Sequence, residues 1–340
     1  MRYIGNKTRL LPFILRTVRK SGLAAGSIHD AFAGTASVSR AFKERGWRVH
    51  TSDILMSSYV FQRAYVVADA LDSALPDMVR ELSEVSPKEG FISEHFSPCG
   101  KDGRMYFTSE NAALIDATRE ELEVWRRGQR IAEDSYYVLL AAIIEGADRV
   151  ANTAGVYASY MKRWQPNARR KFRIQPELPV SAAYPACAYL LDAREAAEVV
   201  GEVDLIYIDP PYNSRQYVAY YHIPEILARG WTDGVPAIRG KVGLLAGPEG
   251  RSEWSHGRRV ERLLSGLLDS TQARYALISF NSEGHLAPAR LLALLEKAAL
   301  NGEVAQYTQG YRRYRADSER VGRHYHLEKA VEHLYLVRLR

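Results

Sequence analysis

Apolar and turn-forming positions near the start of the chain predict the first half of an open α/β sheet. Residues 28–32, Ile-His-Asp-Ala-Phe, indicate a strand that leads into Ala33-Gly34-Thr35. Apolar positions then recur at helical spacing up to Gly46, a residue type that commonly ends a helix. Residues 47–51 predict the next strand, which ends at Ser52-Asp53. A strand–loop–helix–strand unit of this kind is typical of a doubly wound sheet.

The pattern changes between about residue 67 and residue 179. Apolar residues recur there at three- and four-residue spacing, as in helices, over 71–82, 112–125 and 136–150. No stretch of these residues has the composition of a strand. We therefore expect a mainly helical domain inserted at 67–179, within a Rossmann-like catalytic domain formed by 1–66 and 180–340. Helices that belong to the layers of the sheet itself are the alternative.

Strand-like composition resumes after the helical region. The elements expected there are strands over 186–191, 204–208, 275–280 and 333–339, and helices over 194–200 and 286–299. Asp192 follows the first of these strands, and Asp209 follows the second. A Gly- and Pro-rich stretch from Gly230 to Gly257 is too long for a simple connection, and loops of that length are usually functional or mobile.

The most informative residues are Asp209, Pro210, Pro211 and Tyr212, which follow a predicted strand. The Asp209 carboxylate and the Pro210 carbonyl can each accept one proton of an exocyclic amine, and the Tyr212 ring can stack on the base. The two prolines fix φ and remove two N–H donors, so the turn is stiff and rich in acceptors. This turn suits the binding of a flat heterocycle. An ordinary turn after a strand would use the same residue types.

Three further positions suit a cofactor that contains adenosine. Gly34 allows the backbone to approach a ligand at the start of a helix. Asp53 ends the next strand, where its carboxylate can accept two ribose hydroxyls, and Asp192 ends a third, where it can accept a bond from an adenine amine. Residues 32–37 contain a single glycine and no basic residue, whereas a dinucleotide normally requires Gly-x-Gly-x-x-Gly. An adenosine cofactor without phosphate, such as S-adenosylmethionine, therefore fits better than a nicotinamide dinucleotide.

The N-terminal residues predict a second cofactor contact. Tyr3, Gly5 and Lys7 precede a helix with one apolar face. A lysine and free N–H groups at the start of a helix can hold a carboxylate, here the methionine end of the cofactor. The alternative is that Lys7 is a solvated residue near a helix start.

The clustering of basic residues favours a polyanionic partner. The net charge of +6 is mild, but basic residues cluster over 163–173, 251–262 and 312–323, the last with Tyr311 and Tyr314 nearby. Three such clusters favour contact with nucleic acid.

The cysteine and hydropathy patterns indicate the cellular location that we expect for the protein. Cys99 and Cys187 are isolated, which indicates reduced thiols in the cytoplasm rather than disulfides or a zinc ribbon. The chain opens without a leader-like apolar run, and the apolar stretch over 136–144 is too short to span a membrane. No membrane partner is expected.

Taken in order, these features resemble the S-adenosylmethionine-dependent DNA adenine methyltransferases of the α order, the Dam-like family. The residues that carry the resemblance are Tyr3, Gly5, Lys7, Phe32, Gly34, Asp53, Asp192 and Asp209 to Tyr212. The resemblance covers nearly the whole chain. One departure is that Ala36 occupies the position of the family's second glycine.

The resemblance implies transfer of a methyl group from S-adenosylmethionine to N6 of an adenine flipped out of double-stranded DNA. The catalytic residues implied are Asp209, Pro210, Pro211 and Tyr212. The cofactor-binding residues implied are Tyr3, Gly5, Lys7, Phe32, Gly34, Asp53 and Asp192. The substrate-binding candidates are Asn281, Tyr157, Tyr160, Arg163, Arg312 and Arg313, although aromatic residues in the insertion can equally belong to its core.

Several alternatives remain at this level. The same chemistry can act on adenine in RNA or on the cytosine amine in DNA, although Asp209 favours adenine because Ser commonly replaces it in cytosine enzymes of similar type. A catalytically silent DNA-binding module would keep the same fold. No metal is required, and His324, His326 and Glu328 match no standard metal-site spacing. The recognition sequence, the oligomeric state and any cognate restriction endonuclease are left open.

Overall fold

The computed structural model describes residues 1–211, 214–281, 286–312 and 329–340, with backbone alone at 281, 311–312 and 329–330. These residues form two compact units. The helical unit consists of Met1–Gly5, Leu55–Ser181 and Tyr217–Arg251. The sheet unit consists of Asn6–Ile54, Ala182–Gln216 and Ser252–Arg340.

Nine strands lie within the described residues. In chain order they are β1 Ser27–Asp30, β2 Arg48–Asp53, β3 Cys187–Leu190, β4 Glu202–Ile208, β5 Ile238–Arg239, β6 Leu244–Leu245, β7 Gln272–Asn281, β8 Val304–Arg312 and β9 Lys329–Arg338. The sheet unit contains a seven-stranded sheet in the order β3-β2-β1-β4-β7-β9-β8. Within this sheet, the neighbouring strands β3, β2, β1, β4 and β7 run parallel to one another. Strand β9 is antiparallel to both of its neighbours, β7 and β8. The strand order reverses between β1 and β4, which is where open α/β sheets bind ligands.

Twelve α-helices accompany the strands in the described part of the chain. They are α1 Leu11–Arg19, α2 Ser37–Lys43, α3 Met56–Gln62, α4 Leu75–Ser83, α5 Phe91–Phe96, α6 Ser109–Arg127, α7 Glu133–Val150, α8 Ala193–Val200, α9 Tyr217–Tyr220, α10 His222–Arg229, α11 Gly257–Ser270 and α12 Pro288–Ala298. Short 3-10 helices at Thr8–Leu10 and Glu253–Ser255 and a π-helical turn at Arg63–Val67 complete the helical elements. Within the described residues, no helix has both the length and the apolar character needed to span a bilayer.

Both faces of the central sheet are buried. In β4, Ile206 and Ile208 join a hydrophobic cluster with residues of α8, α11 and α12. Leu205 and Tyr207 alternate with them, are also buried, and point to the opposite face, because successive side chains of a strand alternate. Helices α1 and α2 pack against strands of the sheet without contributing to that cluster. The predicted Rossmann-like α/β fold is therefore confirmed.

The predicted strands and helices of the sheet unit are found within a few residues of their expected bounds. Two elements of the sheet unit, α11 and β8, were not predicted, and β8 reaches the basic cluster over 312–323 only at its last residue. The alternation of apolar and polar residues that marks a half-buried strand is weak in β8. Gln306, Thr308 and Gly310 occupy every second position, and the residues between them are not consistently apolar. Antiparallel pairing with β9, from Val304 opposite Val337, holds it in the sheet.

The helical unit contains all of the segment 67–179, and that segment contains helices and no strand. The unit also includes residues 217–251, which lie far along the chain. Helix α10 packs there against α3 and α7, and the Arg119 guanidinium of α6 donates to the Leu227 carbonyl at 2.8 Å. The helical unit therefore combines segments that are far apart in the chain, and the local sequence pattern gives no sign that they pack together.

One buried carboxylate ties α10 to α3. The side chain of Glu225 is fully buried and accepts hydrogen bonds from the N–H groups of Met56 and Ser57, each at 2.9 Å. These N–H groups begin α3 and have no partner within the helix. A carboxylate at this end also interacts favourably with the helix dipole. Arg229 neutralises the same carboxylate at 2.9 Å.

We expect Glu225→Gln to lower the free energy of unfolding by about 1–3 kcal/mol, because the amide keeps one acceptor but loses the charge and one hydrogen bond. Urea unfolding followed by circular dichroism measures this change. Glu84→Gln, at an exposed position of the same unit, is the matched control and should change stability little. Equal effects of the two substitutions would contradict the assigned role of Glu225.

Candidate active site

The Asp209 carboxylate lies at the carboxyl end of β4, next to the point where the strand order reverses. The strand ends at Ile208, and Pro210 and Pro211 continue the chain without N–H donors. The side chain of Asp209 is only 11% exposed. The Asp209 carboxylate forms an ion pair with the Lys7 ammonium, with 3.1 Å between Oδ1 and Nζ.

The Lys7 ammonium is buried between two carboxylates. It contacts Glu332 Oε1 at 2.9 Å as well as Asp209, and the whole residue is 4% exposed. Burial by itself would lower the pKa of Lys7, but the charges of Asp209 and Glu332 outweigh it, so the pKa is raised. The solvated alternative for Lys7 is thus excluded. Its predicted contact with the carboxylate of the cofactor stays a prediction.

Glu332 belongs to the same cluster, and sequence reasoning missed it. It lies in β9, opposite Asn281 of β7 and Gln309 of β8, and is 1% exposed. The Ser279 hydroxyl donates a hydrogen bond to its Oε1 atom. The available signal was a single acidic residue after Ala330 and Val331, just before the predicted strand 333–339. That signal is weak, because such a residue usually faces solvent.

A second buried acid, Asp30, ends β1 beside β4. Its carboxylate accepts a hydrogen bond from the Ser39 hydroxyl at 2.6 Å. Burial raises the pKa of Asp30 from 3.8 to about 7, and the nearby charges of Asp209 and Asp53 add to the rise. The sequence pattern does not indicate a role for Asp30, because an acid at a strand end gives no sign of how deeply it is buried.

The loop between β1 and α2 is fixed by Asp53, at the end of β2. The Gly34 N–H donates to Asp53 Oδ2 at 2.9 Å, and Gly34 has a positive φ of 52°. Ala36 also has a positive φ, 60°, immediately before α2. A left-handed conformation costs a residue with a Cβ roughly 1–2 kcal/mol. The alanine at the family's second glycine position therefore keeps the conformation that glycine adopts more easily.

The remaining cofactor candidates are distributed over both units. In the sheet unit, the Phe32 ring packs edge-on against Trp254, with ring centroids 4.9 Å apart. Asp192 caps α8, and its Oδ1 atom accepts the Arg194 N–H at 3.1 Å. In the helical unit, the Tyr3 ring stacks on the Tyr221 ring at 4.5 Å. Gly5 follows in the same segment, with φ of 80°.

The substrate candidates of the helical unit differ in exposure. Tyr157 is 1% exposed, and its hydroxyl donates to Asp148 at 3.4 Å, which agrees with the alternative of a core residue. Tyr160 is half-buried with its ring 5.1 Å from that of Tyr106, and Arg163 is exposed.

Several predicted residues lie outside the described part of the chain. They are Tyr212 and Arg313, the side chains of Asn281 and Arg312, and the histidines and glutamate weighed as a metal site, His324, His326 and Glu328. Within the described residues, no group of three or more His, Cys, Asp or Glu side chains is arranged to hold a metal ion.

Comparison with known proteins agrees with this geometry. Residues 3–235 match the family of D12 class N6 adenine-specific DNA methyltransferases. The chain is 31% identical over 340 residues to the type II methyltransferase M.NlaIII of Neisseria lactamica, with 99% of each protein covered. It is 28% identical to the type II methyltransferase M.CviAII of Paramecium bursaria Chlorella virus 1, with 94% of each covered. It is also 31% identical to M.FokI of Planomicrobium okeanokoites, but spans 50% of that longer protein.

The chain belongs to the D12 class of N6 adenine-specific DNA methyltransferases. Its reaction is the transfer of a methyl group from S-adenosylmethionine to adenine N6 in DNA. The predicted class, enzyme activity and cofactor are thereby confirmed, and the alternatives of RNA, cytosine and a silent DNA-binding module are set aside.

We expect Asp30→Asn to flatten the dependence of stability on pH. A raised pKa means that folded Asp30 keeps a proton that the unfolded chain releases, so its stabilising contribution is present below the ordinary pKa and lost as pH rises through about 7. Urea unfolding between about pH 4 and 8 should show a shallower decline for the variant than for the wild type. The exposed Asp269→Asn is the control, and a wild-type slope in Asp30→Asn would contradict the assignment.

Lys7→Met should destabilise the protein by about 3–5 kcal/mol near pH 8, because two buried carboxylates lose their cation. The pKa values of the acids then rise, so part of the lost stability returns at low pH, when they protonate. The double variant Lys7→Met/Glu332→Gln should be less destabilised than Lys7→Met at pH 8. Urea unfolding at two pH values measures both effects, and strictly additive losses would show that Lys7 and Glu332 are not coupled.

Proposed function

We propose that Asp209 and the Pro210 carbonyl accept the two amine protons of the target adenine. The observation that carries this proposal is the nearly buried Asp209 carboxylate, held by Lys7 where the strand order reverses. Two acceptors on a stiff turn favour a more tetrahedral N6 atom and aim its lone pair, which is otherwise delocalised into the ring. Orientation of this kind is a large part of the rate enhancement in group transfer.

When bound, S-adenosylmethionine supplies a methyl carbon attached to a positively charged sulfur. A bond from N6 to this carbon would form as the carbon–sulfur bond breaks and its electron pair stays on sulfur, so positive charge would move from sulfur to the nitrogen. The Asp209 carboxylate is positioned to stabilise that charge, and it need not remove a proton before the attack. Loss of one N6 proton to water would then give neutral N6-methyladenine.

The residues at the carboxyl edge of the sheet suit the cofactor. Asp53 is the proposed acceptor for ribose hydroxyls, and Asp192 for the adenine amine of the cofactor. Phe32 and Gly34 form the loop against which the nucleoside lies, and Tyr3, Gly5 and Lys7 are proposed to contact its methionine part. The acceptor character of these groups fits an adenosine that carries no phosphate.

Asp209 and Glu332 flank Lys7, and the charge of Asp209 also acts on the buried Asp30. We propose that Lys7 also holds Asp209 in place, since it contacts that carboxylate directly.

Adenine N6 cannot reach the cofactor from inside a duplex, so the base must be flipped out. We propose Tyr212 as its stacking partner, Pro211 as part of the rigid turn, and Asn281 as a lining residue. Arg312 and Arg313 are proposed to contact phosphates.

DNA recognition is proposed for the inserted segment 67–179, with Tyr160 and Arg163 as contact candidates and Tyr157 as support from the interior. The substrate is proposed to be double-stranded DNA with a specific sequence. The relatives named as type II methyltransferases support a cognate restriction endonuclease as a functional partner. We propose a cytoplasmic location, where both free thiols, Cys99 and Cys187, would stay reduced.

We expect Asp209→Ala to reduce methyl transfer at least 100-fold while the affinity for S-adenosylmethionine stays nearly unchanged, because the carboxylate acts on N6. Transfer of a radiolabelled methyl group to duplex DNA, followed by nucleoside analysis, measures activity and identifies the product. Calorimetry measures the affinity for the cofactor. Ala is preferred to Asn, because Asn would keep an acceptor at this position.

The conclusion about Asp209 would be overturned by wild-type transfer in Asp209→Ala. Label in a base other than N6-methyladenine would overturn the proposed orientation of the target.

A further inference from the structure

Four cationic side chains line one cleft of the helical unit. The cleft has a volume of about 530 Å³ and lies between the C-terminal end of α7 and the segment 170–175. Its basic lining residues are Arg149, Arg170, Lys171 and Arg173, all exposed. Among the residues that the structure describes, no acidic side chain lines it.

The wall of this cleft is held rigidly against α7. Gly146 allows the close approach, because a Cβ at this position would lie 2.7 Å from the Arg173 carbonyl oxygen and 2.8 Å from the Phe172 ring. Phe172 and Ile174 are buried, whereas Lys171 and Arg173 alternate with them and are exposed. The alternation of burial places both basic side chains on the exposed side of this segment.

Polar contacts fix the backbone of the same segment. The Asn111 amide donates to the Arg170 carbonyl at 2.8 Å and accepts the Phe172 N–H at 2.8 Å. The Arg149 guanidinium donates to the Arg173 carbonyl at 3.0 Å. The cationic groups are thus carried by a preformed surface, and little ordering of the backbone would accompany ligand binding.

The charges of this cleft are not balanced by acidic partners. None of its four cations forms an ion pair with a carboxylate of the described residues. Other basic residues of the same unit are paired, for example Arg80 with Asp77, Arg130 with Glu81, and Lys88 with Glu120 at 2.8 Å. A concave concentration of unpaired positive charge attracts a polyanion.

We propose that this cleft, here called the basic cleft, binds the phosphate backbone of the DNA substrate and positions the duplex without reading its sequence. The proposal rests on the proposed function, which supplies double-stranded DNA as the ligand. Lys171 and Arg173 are its main contacts, because both are exposed cations that line the cleft from a segment whose backbone is held in place. Arg149 and Arg170 add charge from the two sides.

The test is the salt dependence of DNA binding by Lys171→Ala/Arg173→Ala, measured as fluorescence anisotropy of a short labelled duplex between about 50 and 200 mM salt. We expect the affinity to fall roughly tenfold or more. The slope of log K against log salt should become shallower by about 1.8, since each lost phosphate contact contributes about 0.9. The affinity for S-adenosylmethionine, measured by calorimetry, should not change.

Arg80→Ala/Arg130→Ala is the matched control. It removes the same net charge from exposed positions of the same unit, away from the basic cleft. It should lower DNA affinity much less and leave the salt slope close to that of the wild type. Equal changes in both double variants would show that only net charge matters and would overturn the proposal.

Two other outcomes would also overturn it. An unchanged slope in the cleft variant would mean that no phosphate binds there, and a loss of affinity for single-stranded RNA but not for duplex DNA would assign the cleft to another ligand. Failure of the proposed function would be seen separately, in the transfer assay. The wild-type protein would then transfer no methyl group to DNA. An active enzyme with unchanged salt slope would refute the basic cleft alone.

Discussion

The structure of the site depends on one buried lysine between two carboxylates. Lys7 comes from the segment before α1, Asp209 follows β4, and Glu332 lies in β9. Two carboxylates this deeply buried would repel each other and take up protons without a cation between them. The ammonium keeps Asp209 in place at the edge of the sheet. The cluster in turn requires the parallel pairing of β4 with β7 and the antiparallel pairing of β7 with β9.

The parallel strands explain why several acids meet at one edge. Asp53, Asp30 and Asp209 follow or end β2, β1 and β4, which are neighbours in the sheet. Carboxyl ends of parallel strands lie together, so residues distant in the chain share one environment. The strained Ala36 beside Gly34 belongs to the same edge, as strained backbone often does at functional sites.

The helical unit uses its charges in two different ways. Buried or paired groups such as Glu225 with Arg229 and Arg119 with Glu123 tie its helices together, and their desolvation is offset by close hydrogen bonds. The four cations of the basic cleft, by contrast, form no ion pair with a carboxylate of the described residues. A concave group of such cations suits the proposed ligand of opposite charge.

Local pattern was sufficient to predict most of this protein. Apolar runs and turn residues located the strands of the parallel sheet and the helices over 67–179, and they placed Asp53, Asp192 and Asp209 at or just after strand ends. The burial of Asp30, the position of Glu332 beside Lys7, and the addition of residues 217–251 to the helical unit were decided only by tertiary structure. Short-range periodicity reports which face of an element is buried, whereas pairing between distant segments determines which charges meet and how much water they keep.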